Sequence, residues 1–181
     1  LHLSGFYNQV EDLIQTGVLP NQQPGATRYG YLNVARAQTY GMDAQLRWQL
    51  PATGQWLPRL ELGGSWLEAR EVNAQGQAGA RLVGRPRWRG FGQLATKQLG
   101  WGLDASARLA LTGRRPFVVA TASGDSQVQA GAYALVEARV SKKFGQHVEL
   151  FVVGENLSNQ GDAQFLSLAP RTVSVGLRSF L

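Results

Sequence analysis

Residues 39–50 alternate between two kinds of side chain with a period of two. Every even position from Tyr40 to Leu50 is apolar, while the odd positions include Asp43 and Arg47. This period is typical of a β-strand with one apolar and one polar face. The pattern recurs along the chain in residues 58–71, 101–114, 131–144 and 172–181. The sequence therefore predicts an all-β, antiparallel, up-and-down chain of about eight strands.

The aromatic residues at the ends of these stripes favour strands that span a membrane. Tyr40 and Trp48 lie about 26 Å apart along an extended strand, or about 19 Å in height at a tilt of about 45°. That height fits the apolar band of about 25 Å between the aromatic girdles of outer-membrane barrels. A single such strand fits a soluble sandwich or lipocalin-like barrel equally well. The stripes of residues 101–114 and 131–144 are rich in alanine, however, which suits a lipid-facing surface better than a densely filled core.

The predicted connections alternate in length. Tight turns are expected at 99–102 and 144–147, with a fairly short connection at 51–58. Longer connections are expected at 16–29, 72–83, 115–130 and 159–169. Short turns on one rim and long loops on the other are typical of outer-membrane barrels, in which the long loops are extracellular.

The composition and motifs of the chain argue against several classes of function. The chain has no cysteine and two histidines, so we expect neither a metal centre nor a cofactor. No nucleophile elbow or phosphate-binding loop occurs, and we expect no enzymatic activity. Although the net charge is +6, acidic residues on the polar parity (Asp104, Glu137 and Glu149) argue against a nucleic-acid partner. No apolar run approaches the length of a membrane-spanning helix.

Several short motifs together resemble the barrel of TonB-dependent outer-membrane receptors. These are Gly5-Phe6-Tyr7-Asn8, then Asn33-Val34 leading to Gly41-Met42-Asp43, Gly84-Arg85-Pro86-Arg87, Glu155-Asn156-Leu157, and Pro170-Arg171-Thr172 before Gly176-Leu177. Asp43 takes the place of a glutamate that is usual in the family. Each motif alone is weak, but the set occurs in family order along essentially the whole chain.

The resemblance implies that residues 1–181 are the C-terminal portion of a 22-stranded barrel, without the plug domain and the earlier strands. A chain that starts at Leu1 inside an apparent strand agrees with a fragment. The implied function is active uptake of a ferric siderophore, similar metal chelate or cobalamin-like nutrient across the outer membrane of a Gram-negative bacterium. The implied partners are the TonB complex, acting through the missing plug, the barrel-assembly machinery, and outer-membrane lipid or lipopolysaccharide.

The barrel-assembly signal implied by the resemblance lies at Gly176, Phe180 and Leu181. The family usually ends on an outward aromatic residue, whereas this sequence has Leu181 there and Phe180 one position earlier.

A second architecture agrees with the strand count. A self-contained eight-stranded outer-membrane barrel, with a structural or adhesive role, would have a lumen filled by its own side chains. Its strand at residues 1–15 would have to pair with the strand at 171–181, whereas a segment of a wider barrel would leave both edges open.

Candidate ligand-binding residues lie toward the predicted extracellular rim. Arg81, Arg85, Arg114, Arg115 and Tyr29 could attract and stack on an anionic ligand. Contact with lipopolysaccharide phosphates or with water explains the arginines at least as well, and we favour it. Glu149 and Glu155 share a strand face, but carboxylates paired with arginine are ordinary in a barrel lumen, so an acid–base pair is disfavoured.

Overall fold

The computed structural model describes residues 1–19, 28–73, 75–121, 124–161 and 166–180. Within them the chain forms antiparallel β-strands joined by turns and irregular segments. The strands are β1 (His2–Leu19), β2 (Arg28–Gln49), β3 (Trp56–Val72), β4 (Ala78–Arg81), β5 (Trp88–Gln98), β6 (Leu103–Thr112), β7 (Arg115–Thr121), β8 (Gly124–Ala130), β9 (Tyr133–Phe144), β10 (Val148–Glu155) and β11 (Thr172–Ser179). The all-β prediction is confirmed.

Eight of these strands form one continuous wall. Their order is β1-β2-β3-β5-β6-β9-β10-β11, with every neighbouring pair antiparallel. Among the described residues, β1 pairs only with β2 and β11 only with β10. The pairing of β1 with β11 that a closed eight-stranded barrel requires is therefore not formed in the described part of the chain.

Three strands occupy segments that the sequence predicted to be loops. β4 lies in the 72–83 connection and pairs with the end of β3. β7 and β8 occupy most of the 115–130 connection and pair with each other in a separate sheet. The expected loop at 16–29 is also too long, because β1 extends to Leu19 and β2 begins at Arg28. The tight turns expected at 99–102 and 144–147 are confirmed, with the second one beginning at Gly145 because β9 extends to Phe144.

The ladder of β1 and β2 is irregular at Asp12. Asp12 has a φ of 54°, in the left-handed region that aspartate tolerates better than most residues. The ladder pairs Glu11 with Arg36 on one side and Leu13 with Val34 on the other. Since the register is the same on both sides of Asp12, no residue is inserted, and the irregularity is not a bulge.

The wall has two chemically different faces, because directly opposed residues of an antiparallel ladder project to the same side. The apolar face carries Tyr40, Met42, Leu62, Trp66, Leu94, Leu109, Val140, Val152 and Val175, all of them exposed. The polar face carries Asp43, Gln45, Glu61, Gln93, Arg108 and Arg139, all of them half-buried. The greater shielding of the polar face indicates that the sheet curves around it. This separation confirms the alternation predicted from sequence.

Aromatic rings on the polar face cover glycines of the neighbouring strand. Phe151 lies opposite Gly176, and Phe91 lies opposite Gly63. A Cβ atom built on either glycine would collide with the facing ring. The absence of a side chain therefore lets each ring lie flat along the wall, which packs that stretch of the polar face.

Candidate functional site

Charged side chains of opposite sign pair with each other on the polar face of the wall. Arg47 lies 3.4 Å from Glu61, and Glu149 accepts from Arg139 Nη2 at 3.2 Å and from Arg178 Nη1 at 3.4 Å. The Glu149 side chain is only 7% exposed, so the two guanidinium groups replace most of its water. Such mixed and mutually compensated charges suit a surface that meets water or another polar protein surface.

The arrangement of β10 separates Glu149 from Glu155. Glu149 pairs in register with Lys143 and Arg178, whereas Glu155 lies opposite Thr172 near the other end of the strand. Six residues of extended chain separate the two carboxylates by about 20 Å. They are therefore too far apart to act as an acid–base pair, as the sequence analysis expected.

Arginines of the polar face also stack on its aromatic rings. The guanidinium carbon of Arg108 lies 4.3 Å from the Phe91 ring centre, and that of Arg139 lies 4.5 Å from the Phe151 ring centre. Within this face, a concavity of about 650 Å³ is lined by side chains that include Arg59, Lys97 and Asp104. Asp104 Oδ1 is buried there and has no hydrogen-bond partner among the described residues.

The predicted rim residues fall in different surroundings. Arg81 ends β4 and lies 3.8 Å from Glu68. Arg85 and Arg114 are exposed in the segments before β5 and β7. Arg115 is half-buried, and its guanidinium carbon lies 5.2 Å from the Tyr133 ring centre and 5.4 Å from that of Phe117. The side chain of Tyr29 lies outside the described residues, so its predicted role stays a prediction.

The base of the β7 and β8 hairpin is hydrogen-bonded to the segment that connects β4 to β5. Pro116 is fully buried, and its carbonyl accepts a hydrogen bond of 2.8 Å from the backbone N–H of Gly84. Gly84 has a φ of 73°, a conformation that glycine adopts without steric cost. The Gly84-Arg85-Pro86-Arg87 motif therefore leads into β5 and, through the N–H of Gly84, also bonds to the base of the hairpin.

The C-terminal motifs organise the connection between β10 and β11. Asn156 has a φ of 47°, and its Nδ2 donates to the carbonyls of Gln160 and Ala169 at 2.8 Å each. The Oδ1 of Asn159 accepts from the backbone N–H of Arg171 at 3.2 Å. The Glu-Asn-Leu and Pro-Arg-Thr segments thus hold the two ends of this connection together.

Two residues of the expected assembly signal, Gly176 and Phe180, lie in the described part of the chain. Gly176 lies under the Phe151 ring on the polar face. Phe180 shares the parity of Gly176, and its backbone N–H donates to the His147 carbonyl at 2.8 Å. Leu181 lies outside the described residues, and recognition of this end by the assembly machinery stays a prediction.

The sequence analysis did not identify Glu68, a buried carboxylate that lies within 4 Å of three arginines. Glu68 is only 2% exposed and accepts from Arg70 Nε at 2.8 Å and from Arg87 Nε at 2.9 Å. Glu68 and Arg70 continue the parity of Leu60, Leu62 and Trp66, so a charged end to an otherwise apolar stripe was the available signal.

Two features are absent from the described residues. These residues contain no group of three or more histidine, aspartate or glutamate side chains placed to hold a metal ion. None of their segments forms a helix with the length and apolar character needed to cross a membrane.

Comparison with known proteins gives one family, and the similar solved structures have the same fold as this chain. Residues 1–157 match the family model described as TonB-dependent receptor-like, β-barrel. No curated protein sequence matches significantly.

Similar solved structures include two transporters and a receptor. The outer membrane transporter YddB from Escherichia coli has a TM-score of 0.68 at 10% identity and is matched over 98% of this chain and 30% of its own. The copper transporter OprC has a TM-score of 0.68 at 16% identity, over 98% and 28%. A variant of the ferric enterobactin receptor PfeA from Pseudomonas aeruginosa has a TM-score of 0.63 at 16% identity, over 98% and 28%. The chain thus spans less than a third of the length of each of these structures.

Proposed function

Because this chain belongs to the TonB-dependent receptor-like β-barrel family, we propose that it is the C-terminal portion of the barrel of an active transporter for a metal chelate. Its family places it in the outer membrane of Gram-negative bacteria, and members of the family are receptors and transporters. The observation that carries the proposal is the match of the family model over residues 1–157.

The geometry of the wall supports a place in a larger barrel. Its apolar face is continuous across eight strands, and both of its edge strands, β1 and β11, have one neighbour each among the described residues. Strands in a membrane need partners on both sides, since unpaired backbone groups in lipid cost several kcal/mol each, by an order-of-magnitude figure of about 2–7. A 22-stranded barrel with a plug in its lumen would supply those neighbours and would contact the polar face.

Two of the similar structures and the exposed arginines of the rim support the substrate class that we propose. One similar structure is titled a ferric enterobactin receptor and another a copper transporter. A ferric siderophore or similar metal chelate is therefore the substrate we propose, with a cobalamin-like nutrient as a less supported choice. Anionic chelates would be attracted by the exposed guanidinium groups of Arg85 and Arg114, while Arg81, Arg115 and Tyr29 complete the proposed rim.

The proposed transport cycle requires parts of the receptor outside this chain. The extracellular connections and the plug would capture the chelate, and the TonB complex would then rearrange the plug. This chain contributes the wall, the rim arginines and the hairpin of β7 and β8. Its charged polar face offers partners of both signs to a plug surface.

Uptake of labelled substrate tests the proposal. The full-length receptor is expressed in an outer-membrane receptor-deficient strain, and uptake of ⁵⁵Fe-loaded siderophores is measured with and without TonB. We expect uptake that is lost without TonB. Equal uptake in the presence and absence of TonB would contradict the proposal, and uptake of copper or cobalamin in place of iron would change only the substrate.

The rim is tested in the same assay with Arg85→Ala and Arg114→Ala combined. We expect the apparent affinity for an anionic ferric siderophore to fall several-fold while the maximal uptake rate is kept. Arg171→Ala removes an exposed arginine near the other long connection and is the matched control. Unchanged affinity in the double variant would remove Arg85 and Arg114 from the ligand site.

A further inference from the structure

Arg85 and Arg114, the two exposed arginines of the proposed rim, lie far apart in the sequence but are joined through one backbone hydrogen bond. Arg85 belongs to residues 82–87, which we call the rim segment. Gly84, which precedes Arg85, donates its N–H to the carbonyl of Pro116 at 2.8 Å. Pro116 follows Arg114 by two residues. The two exposed arginines are therefore carried by neighbouring stretches of backbone.

The rim segment forms no strand of its own and is held against β3 at both ends. At its start, the N–H of Leu82 donates to the carbonyl of Ala69 at 3.0 Å, and the Leu82 side chain packs with Ala69 in a small buried apolar cluster. At its end, the carbonyl of Arg87 accepts from the N–H of Leu67 at 2.7 Å. Since Ala69 lies opposite Thr39 on the polar face, the apolar contact holds the segment from that side of the sheet.

Glu68 holds the rim segment from the other side of the sheet. It lies opposite Tyr40 in the ladder of β2 and β3, and it therefore projects from the apolar face. Its carboxylate accepts from Arg87 Nε at 2.9 Å, and Arg81, which immediately precedes the rim segment, lies 3.8 Å away. Arg70 is bonded to the same carboxylate at 2.8 Å but belongs to β3 itself. Glu68 thus ties both flanks of the rim segment to β3.

The surroundings of Glu68 suit a residue that holds other groups in place. Its side chain is only 3% exposed, and a carboxylate shielded from water forms strong charge-assisted hydrogen bonds. A buried negative charge that faces away from the lumen is unsuited to contact an anionic ligand. The Arg87 side chain, by contrast, is 51% exposed, so the tie joins a fixed carboxylate to a surface segment.

We propose that Glu68 is a positioning residue for the ligand-binding rim. Its ion pairs fix the rim segment and so hold Arg85 at a set distance from Arg114. This inference rests on the proposed function, which assigns Arg85 and Arg114 to the capture of an anionic metal chelate. Two cations held at a fixed separation bind a multiply charged anion more tightly than two mobile cations, because less conformational freedom is lost on binding.

The distance between the two rim positions tests the positioning role without a ligand. Spin labels are attached at Arg85→Cys and Arg114→Cys in the full-length receptor, to which this chain contributes no other cysteine, and dipolar broadening of the EPR spectrum is measured. We expect Glu68→Gln to widen the distribution of distances, because glutamine keeps the shape of the side chain but not its charge. Glu61→Gln, which removes an arginine-paired carboxylate from the polar face of the same strand, is the control and should leave the distribution unchanged. An unchanged distribution in Glu68→Gln, or equal widening in both variants, would overturn the positioning role.

Uptake of an anionic ⁵⁵Fe-loaded tris-catecholate siderophore tests the consequence for the ligand. We expect Glu68→Gln to lower the apparent affinity several-fold and to keep the maximal uptake rate. In a receptor that already carries Arg85→Ala and Arg114→Ala, Glu68→Gln should have no further effect on affinity, because Glu68 acts only through these arginines. Additive losses of affinity, or a fall in the maximal rate alone, would overturn the inference.

Arg87 gives a second route to the same test if Glu68→Gln fails to fold. Arg87→Gln breaks the tie at a half-exposed side chain, and Arg87→Lys keeps the positive charge and should restore part of the affinity. Equal effects of these two variants would contradict the ionic explanation. A receptor that takes up no metal chelate, with or without these substitutions, would overturn the proposed function, whereas the spin-label distances would still decide the positioning role of Glu68.

Discussion

The ring of Tyr40 meets the ring of Trp66 edge-on across the ladder of β2 and β3. Their centroids are 5.8 Å apart and their planes make an angle of 62°. Both rings belong to the apolar face, and they lie diagonally across the ladder, because Tyr40 pairs with Glu68 and Trp66 pairs with Met42. This contact joins two neighbouring strands at the level where the apolar face ends and the ion pairs of Glu68 begin.

Trp66→Leu should lower the stability of the receptor by about 1 kcal/mol through loss of this ring contact, beyond the loss of buried area. Urea unfolding in phospholipid vesicles measures the change. A double-mutant cycle with Tyr40→Leu isolates the ring–ring term. Trp101→Leu, at a turn residue that is 72% exposed, is the control. A coupling energy near zero would show that the two rings are independent.

Ala44→Arg and Gln45→Arg should differ sharply, although the residues are adjacent. Ala44 is exposed on the apolar face, where arginine near the bilayer midplane costs about 2–4 kcal/mol. Gln45 is on the polar face, where its Nε2 donates to Glu61 at 2.6 Å, and an arginine there keeps a carboxylate partner. Vesicle unfolding and the yield of assembled barrel measure the difference. Similar stability of the two variants would argue against lipid contact on the Ala44 side.

Gly176→Ala should destabilise the barrel by about 1–3 kcal/mol, because its Cβ atom would occupy the space of the Phe151 ring. Phe151→Leu in the same chain should recover part of the loss. Gly131→Ala, where a Cβ atom would meet nothing within 4 Å, is expected to be nearly neutral. Additive effects of Gly176→Ala and Phe151→Leu would disprove the steric explanation.

Asn156→Ala should loosen the connection between β10 and β11. It removes the hydrogen bonds to Gln160 and Ala169. It also places alanine, whose side chain makes no hydrogen bond that could offset the steric cost, at a φ of 47°. We expect a loss of about 1–3 kcal/mol. Asn156→Gly keeps the backbone conformation and should lose only the hydrogen-bond part. Protease cleavage in residues 156–171 of the folded receptor reports the loosening, and equal protection of all three forms would contradict the prediction.

The wall could be predicted from sequence because its signal is local. Alternation between neighbours, as in Met42 and Asp43, depends only on which face a residue occupies, and it located eight strands and both faces. The hairpin of β7 and β8 could not be predicted in this way. Its strands are stabilised by pairing with each other, and residues 115–130 are too short and too mixed in character to show a two-sided period.

The ion pairs of Glu68 show a second limit of prediction from sequence. The pairing of Glu68 with Arg70 is local, since the residues are two positions apart on one strand. The approach of Arg87 depends on the return of residues 82–87 alongside β3, where Leu82 bonds to Ala69 and Leu67 bonds to Arg87 through the backbone. That return is a tertiary contact, so sequence could identify basic residues near the rim but not the face on which they lie.

The separate sheet of β7 and β8 also affects how such a receptor can diversify. The two strands share a ladder that does not include the wall, and the joint at Gly84 and Pro116 lies at the base of the hairpin. Adding or removing residues in pairs would lengthen or shorten the hairpin while the eight wall strands keep their register. The length of the hairpin can therefore change without altering the pairing on which the wall depends.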